Sequence, residues 1–259
     1  MVKNSENVFS SIDVHSHLYL CKQPLNQLLE NAAQAGVKYM LNIAINIESS
    51  RKVLVMHKRH SQCLPTIGIH PCEHASLERV DELEGLLLKN KDQVKAIAEI
   101  GLDYYWRQDN KKQQQLAFEK QCDLAQRYDL PVIIHNRKAD EDIASICKNF
   151  PSLKKVFHCF MGGPQFLQEL MDENSFFSFT GSITYAKKGK TIQAIKALPL
   201  DRCLIETDCP YLVPKQQEGK ENQPAYVCYV RDKIAEIKQL TIDKVSENLY
   251  ANAKKLLAI

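Results

Sequence analysis

The sequence predicts a single (β/α)8 barrel, the TIM-barrel fold, and three observations carry that expectation. The chain has 259 residues, close to the ~250 typical of this fold. Eight short apolar runs recur along it, each followed by a polar stretch with helical spacing, as parallel βαβ units require. The rival fold, an open doubly wound sheet, usually opens on a Gly-rich turn, and G-x-G-x-x-G is absent.

The strand candidates, in order, are 11–18 (SIDVHSHL), 38–45 (KYMLNIAI), 64–70 (LPTIGIH) and 95–103 (KAIAEIGLD), then 131–137 (PVIIHNR), 154–160 (KKVFHCF), 176–183 (FFSFTGSI) and 202–212 (RCLIETDCPYL). Between them apolar residues fall at helical spacing. Leu83, Leu86 and Leu87 mark one such face, and Leu116, Cys122 and Ala125 mark another along 111–128. A helical pair, about 224–238 and 242–257, closes the chain. No Pro/Gly/Ser-rich linker divides it, so 1–259 reads as one domain with a short extension over 1–10. The segment 213–224 has turn composition and follows the last strand.

Composition narrows the functional classes. Hydrophobic residues make up 44% and charged residues 25%, which supports a large core and excludes a disordered chain. A net charge of +3 is too small to coat nucleic acid by electrostatics alone, but it permits an enzyme that grips a strand end. Nine cysteines without a C-x-x-C pair argue against a disulfide framework and a zinc ribbon, and fit a reducing compartment. The N-terminus lacks the apolar run of a signal peptide, and no apolar run is long enough to span a membrane. A cytoplasmic protein without membrane contact is expected.

The chemistry lies in polar residues at the ends of apolar strands. His15 and His17 are two apart on the first strand, so alternation sends both side chains to one side, a natural metal chelate. Glu99 stands in IAEIGL, His135 ends VIIH, His158 interrupts VFHCF, and Glu206 and Asp208 interrupt LIETDCP. A lone histidine of this kind is more often a satisfied core residue. Five strands repeating the pattern are better explained by a shared metal cluster, because burying unpaired charges is costly and the C-terminal ends of barrel strands converge on one face. Four histidines and two carboxylates exceed the four ligands of a closed zinc site, which points to two divalent ions with a bridging carboxylate. Glu99, on the middle strand of the set, is the expected bridge. Imidazole-rich coordination favours zinc, manganese, iron or nickel over magnesium on affinity, with availability still able to select magnesium.

Weaker candidates surround this set. His70 ends the third run and is a candidate substrate contact. Arg137 follows His135 by two residues and suits a phosphate. Asp103, Tyr104 and Trp106 follow Glu99 on a loop at the same face, where aromatic rings can stack on a base, and Asp103, Tyr104 and Glu206 join His70 and Arg137 as candidate substrate contacts. Lys187, Lys188 and Lys190 form a short basic run in YAKKGK, most simply a solvated cluster. His57, His60 and His74 read as ordinary surface residues.

With these motifs placed, the sequence resembles the TatD family of metal-dependent deoxyribonucleases, within the amidohydrolase-like barrels. DVHSH (13–17) is similar to the family's D-x-H-x-H opening. GIHP (68–71), AEIGLDYYW (98–106), PVIIHNR (131–137), HCFMG (158–162), TGSITY (180–185) and IETDCPYL (205–212) follow its later blocks in order. The resemblance runs from Ile12 to the C-terminus. Carried over residue by residue, it implies His15, His17, Glu99, His135, His158 and Asp208 as metal ligands. It also chooses Asp208 over Glu206, which the residues alone leave open. It implies hydrolysis of DNA phosphodiesters, often 3′→5′, by two metals. One metal would sit with His15, His17 and Asp208, the other with His135 and His158, with Glu99 shared and Asp208 as proton acceptor. Single DNA strands or strand ends are then the expected partner of a monomeric chain. The rival readings are an aminoacyl-tRNA deacylase, an amidase or lactonase, and a catalytically dead binding module. The family's Arg-Asn-x-Pro element reads Glu221-Asn222-Gln223-Pro224 here. This departure predicts a phosphate grip weakened by Glu221.

Overall fold

The computed structural model describes residues 9–73, 77–106 and 108–259, without the side chains of residues 77 and 78. His74 and residues 1–8 of the expected N-terminal extension lie outside the described residues. Eight strands form one parallel sheet in sequential order, β1-β2-β3-β4-β5-β6-β7-β8. They are β1 (Ser11–Ser16), β2 (Val37–Asn42), β3 (Cys63–Ile67), β4 (Ala96–Asp103), β5 (Val132–Arg137), β6 (Lys155–Phe157), β7 (Ser175–Phe179) and β8 (Cys203–Ile205). Between them lie α1 (Leu25–Gln34), α2 (Ile47–Arg59), α3 (Leu77–Asn90), α4 (Lys111–Arg127), α5 (Asp140–Lys148), α6 (Pro164–Leu170) and α7 (Lys190–Ala197). The closing pair is α8 (Val227–Lys238) and α9 (Ile242–Leu257).

The sheet curls until β8 meets β1. Asp208 donates its backbone N–H to the His15 carbonyl at 2.9 Å, and His17 donates to the Cys209 carbonyl at 2.8 Å. Below these bonds the buried Asp13 carboxylate accepts from the Thr207 amide and hydroxyl. The seam therefore closes partly through the backbones of His15, His17 and Asp208, three of the candidate ligands. Inside the barrel an apolar cluster takes Ile12, Leu41, Leu64, Ala98, Ile133, Val156, Phe176 and Leu204 from the eight strands. Ala253, Leu256 and Leu257 of α9 join it. A larger cluster packs the outer strand faces against the helices.

The expected order of elements is observed, with shorter strands. β3 ends at Ile67 and β8 at Ile205, so His70, Glu206 and Asp208 stand on the connections beyond their strands. The face expected for α4 is partly wrong. Leu116 is 41% exposed, and Ala117, Phe118, Gln121, Cys122, Leu124 and Ala125 form the buried side. Phe118 buries more apolar area than Leu116 would, and its position fixes the rotation of the helix. The segment 213–224 is tied down rather than loose. The fully buried Asn222 donates to the carbonyls of Thr207 and Tyr211, and Gln223 accepts from Asn31.

Candidate metal centre

Two of the contributing strands switch their inward face where the site begins. Val14 and Ala98 belong to the inner apolar cluster. Their immediate neighbours, His15 and Glu99, also turn inward, which strict alternation forbids. The register of β1 slips between Asp13 and Ser16, and that of β4 between Ile97 and Ile100, and these irregularities allow the switch. Gly101 makes the second one possible. Its φ is +132°, and a methyl group there would lie 2.1 Å from the His135 carbonyl oxygen.

Glu99 occupies the centre, with its two oxygens facing different groups. Oε2 lies 3.5 Å from His15 Nε2 and 3.7 Å from His17 Nε2. Oε1 lies 2.9 Å from His135 Nδ1, 3.0 Å from His158 Nε2 and 3.6 Å from His70 Nε2. Asp208 joins the first group, its Oδ1 3.5 Å from His15 Nε2 and 3.4 Å from His17 Nε2. His15, His17 and Glu99 satisfy the proximity of a metal site, as do His15, His158 and Glu206, and His70, Glu99 and His135.

The outer contacts fix which nitrogen faces inward. His17 donates from Nδ1 to the Ile43 carbonyl at 3.0 Å, leaving a lone pair on Nε2. His135 Nε2 lies 3.0 Å from Asp103 Oδ2, and the other oxygen of Asp103 accepts from the amides of Tyr105 and Trp106. His158 Nδ1 lies 3.3 Å from Glu206 Oε1, which also accepts from the Cys159 amide. Glu206 Oε2 accepts from Ser178. These are the carboxylate–histidine pairs that orient metal-binding imidazoles. His70 is set the opposite way. Its Nδ1 accepts from the Cys72 amide at 3.1 Å, so Nε2 carries the proton and acts as a donor in the neutral ring.

Charges are shared unevenly in this pocket. Burial opposes ionisation of Glu99, yet His158, His70, His135 and His15 together hold its carboxyl well below the usual range. Burial likewise works against charge on His158 and His135, but Glu99 with Glu206, and Asp103 with Glu99, raise both. Burial and the neighbouring His135 push His70 down to about 3. Burial and His158 also lower His15. Its Nδ1 is buried without a partner, and its Nε2 stands 3.2 Å from that of His17. Two imidazole nitrogens that face each other, with two carboxylates beside them, form a donor set suited to a cation. A divalent ion fits it. Asp13 is pushed up to about 8 by burial despite its three donors.

Each sequence candidate now has a place. His15, His17, Glu99, His135, His158 and Asp208 converge, and Glu206 sits beneath, fully buried against His158. His70 is inside the cluster rather than at its edge. Asp103 is corrected from a substrate contact to the partner of His135. Tyr104 is corrected as well. Its ring is 7% exposed and its hydroxyl is committed to Asp142 and Gln115, so it packs β4 against α4 and α5. The exposed aromatics are its neighbours Tyr105 and Trp106, and the Arg137 guanidinium lies over both rings, at 4.1 and 5.3 Å. His57 and His60 end α2, at the opposite end of the barrel. Asp13 and Ser178 escaped the sequence reading. An acid in an apolar strand, the signal that singled out Glu99, also marks Asp13, whereas nothing marks Ser178.

Glu221 is held by the backbone rather than free in solvent. Its carboxylate accepts from the backbone amides of Lys22 (3.0 Å) and Gln23 (3.4 Å), binding the 213–224 segment to the connection after β1. Glu221→Arg is therefore expected to destabilise the protein by about 1 kcal/mol, the worth of a partly exposed hydrogen-bond pair. A urea titration with an unchanged midpoint would show that these bonds contribute nothing.

The family model of the TatD related DNases matches residues 12–258. The chain belongs to the TatD family. A Bacillus subtilis relative, YabD, described as an uncharacterized metal-dependent hydrolase, is 34% identical over 251 residues, which is 95% of this chain and 98% of that one. The 3′-5′ ssDNA/RNA exonuclease TatD of Salmonella typhimurium is 30% identical over 217 residues, covering 81% of this chain and 84% of its own. The crystal structure of the TatD homologue YJJV from Escherichia coli superposes with a TM-score of 0.90 at 29% identity, over 96% of this chain and 98% of that one. This TatD-family chain is a metal-dependent hydrolase with a (β/α)8 barrel. Among its described residues no helix is long and apolar enough to cross a membrane.

Proposed function

We propose that this chain is a two-metal phosphodiesterase that removes nucleotides from the ends of single DNA strands in the 3′→5′ direction. One observation carries the two-metal part: the two oxygens of Glu99 face two separate imidazole groups. His15, His17 and Asp208 would hold one ion, and His135 and His158 the other, with Glu99 shared. Divalent ions in these places supply Lewis acidity, polarising a phosphoryl oxygen and making water acidic enough to attack near neutral pH. The chain's own groups do the rest. Asp103 and Glu206 hold the rings of His135 and His158 in place. Asp208 Oδ1, whose basicity is lowered by His17 and His15 against the effect of burial, takes up the proton of the attacking water. His70 presents Nε2–H toward the same space and donates to a phosphate oxygen. The substrate class rests on the family, and on the activity that the Salmonella relative's name records.

The test is hydrolysis of single-stranded DNA, RNA and charged tRNA by purified protein, before and after metal stripping. Chelation is expected to abolish turnover, zinc or manganese to restore it, and metal analysis to find up to two ions per chain. Full activity in the stripped protein would sink the metal reading. Cleavage of charged tRNA alone would replace DNA as the substrate.

A further inference from the structure

Beside the metal centre lies a cavity of about 560 Å³, within the range of small-molecule sites (~300–1,000 Å³). It is continuous with the metal-site residues His135, His158 and Asp208, and runs outward between the connections that follow β5, β6 and β8. Its walls differ in chemistry. Phe160 and Phe166 stack beneath it with ring centroids 5.9 Å apart, and Met161 and Tyr211 are 52% and 55% exposed at its mouth. Arg137, Lys138 and Lys190 line the outer part, and none of the three forms an ion pair among the described residues. Asp208 lines the end of the cavity at the metal centre; Asp140 lies in its outer part, and its carboxylate accepts from the Asn136 side-chain amide at 2.8 Å.

The backbone around this cavity is strained. Seven described residues other than glycine have positive φ: Asp129, Lys138, Cys159, Asp208, Leu212, Gln239 and Ala258. Asp129, Gln239 and Ala258 follow helix ends, where that conformation is routine. The other four, Lys138 (60°), Cys159 (44°), Asp208 (56°) and Leu212 (52°), all line the cavity. Leucine and lysine there gain nothing locally, so the surrounding fold enforces the conformation, as it does at ligand sites.

We propose that this cavity is a nucleotide pocket. It takes the base and sugar that adjoin the phosphodiester at the metal centre, with the base against Tyr211 and Met161. Arg137, Lys138 and Lys190 take the next phosphate of the strand. Arg137, Lys138 and Lys190 against the engaged carboxylate of Asp140 make the outer part of the cavity select a polyanion, and an aromatic face accepts any base, so the pocket recognises a nucleotide chain without reading its sequence. This rests on the phosphodiesterase reading and adds to it the path of the strand.

The experiment compares two esters with one leaving group, a thymidine p-nitrophenyl phosphodiester and methyl p-nitrophenyl phosphate. Wild type is expected to favour the nucleoside ester in kcat/KM. Tyr211→Ala should reduce that preference on the order of tenfold, the effect of one stacked base, and Tyr211→Phe should restore it. The double change Lys138→Ala, Lys190→Ala should flatten the salt dependence of KM for a trinucleotide more than for the mononucleotide ester. Preferences and salt slopes equal to wild type in these variants would overturn the pocket while leaving the phosphodiesterase reading intact. If wild type with metal restored cleaves neither ester, the phosphodiesterase reading has failed. Calorimetric binding of thymidine monophosphate then decides the pocket. Binding that Tyr211→Ala loses supports it, and no binding to wild type overturns it.

Discussion

Glu99→Ala should lower turnover by a factor on the order of 10³ or more, and should abolish the stabilisation that added zinc or manganese gives the wild type. The first effect follows from the worth of catalytic metals, several kcal/mol in the transition state, with each ~1.4 kcal/mol a factor of ten in rate. The second follows from linkage, since an ion that binds the folded chain alone raises its melting temperature. Both should be large because of where Glu99 sits. One oxygen faces His15 and His17, the other His135 and His158, so a single truncation removes a ligand from both groups. It also leaves the rings of His135 and His158 with one carboxylate each, Asp103 and Glu206, in place of the two that favour their charged forms. The measurements are initial rates at saturating metal and thermal melts with and without metal. A variant that melts at the wild-type temperature in metal and keeps a tenth of the activity would refute the bridging role.

How far the sequence led depends on the period it was read with. Eight apolar runs with helical intervals define a barrel because each run is short and uninterrupted. Polar residues at strand ends stood out for the same reason. His15, His17, His135, His158 and Asp208 were visible as ionisable groups in apolar surroundings, and the structure brings the four histidines within 3.7 Å of Glu99 and Asp208 within 3.5 Å of His15 and His17. What alternation could not supply was their facing. Val14 and His15 both turn inward, as do Ala98 and Glu99, through register slips that no local residue pattern announces. The glycine of EIGLD is such a sign only in hindsight, since the need for it lies in the His135 carbonyl of the neighbouring strand. Tyr104 and Asp103 were misjudged for a related reason. They leave β4 on the right face, but their side chains turn back, Tyr104 to α4 and α5 and Asp103 to His135. Asp103 is the last residue of β4 and Tyr104 the first beyond it, and where a strand gives way to a loop there is no periodicity from which to read a side chain's direction. Glu221 shows the same limit. Its charge suggested a conflict with phosphate, but the amides of Lys22 and Gln23, distant in sequence, engage it.

Asp208→Asn should remove nearly all turnover, about 10³-fold, whereas Glu206→Gln should cost only about 10- to 100-fold, the range for residues that orient a metal-binding histidine. The two acids are separated by one residue, and their surroundings decide the difference. Asp208 Oδ1 lies within 3.5 Å of the inward nitrogens of both His15 and His17, beside Glu99. Its backbone is held at a φ of 56° by the closure of the barrel, with its N–H on the His15 carbonyl. An asparagine there keeps the shape but loses the charge that attracts an ion and the basicity that accepts a proton. Glu206 is fully buried, and its carboxylate bonds to the ring of His158 on the side away from Glu99. Glutamine in its place can still accept from the Cys159 amide with its carbonyl oxygen, and its NH2 can donate to Ser178 Oγ, whose hydroxyl can accept as well as donate. What the glutamine loses is the charge beside His158 Nδ1, which now raises the basicity of that ring. Its metal affinity should fall accordingly, so excess metal should recover much of the activity of Glu206→Gln and almost none of that of Asp208→Asn. Rates measured across a metal titration would separate the two, and a Glu206→Gln enzyme that stays inactive at saturating metal beside an active Asp208→Asn enzyme would exchange their roles.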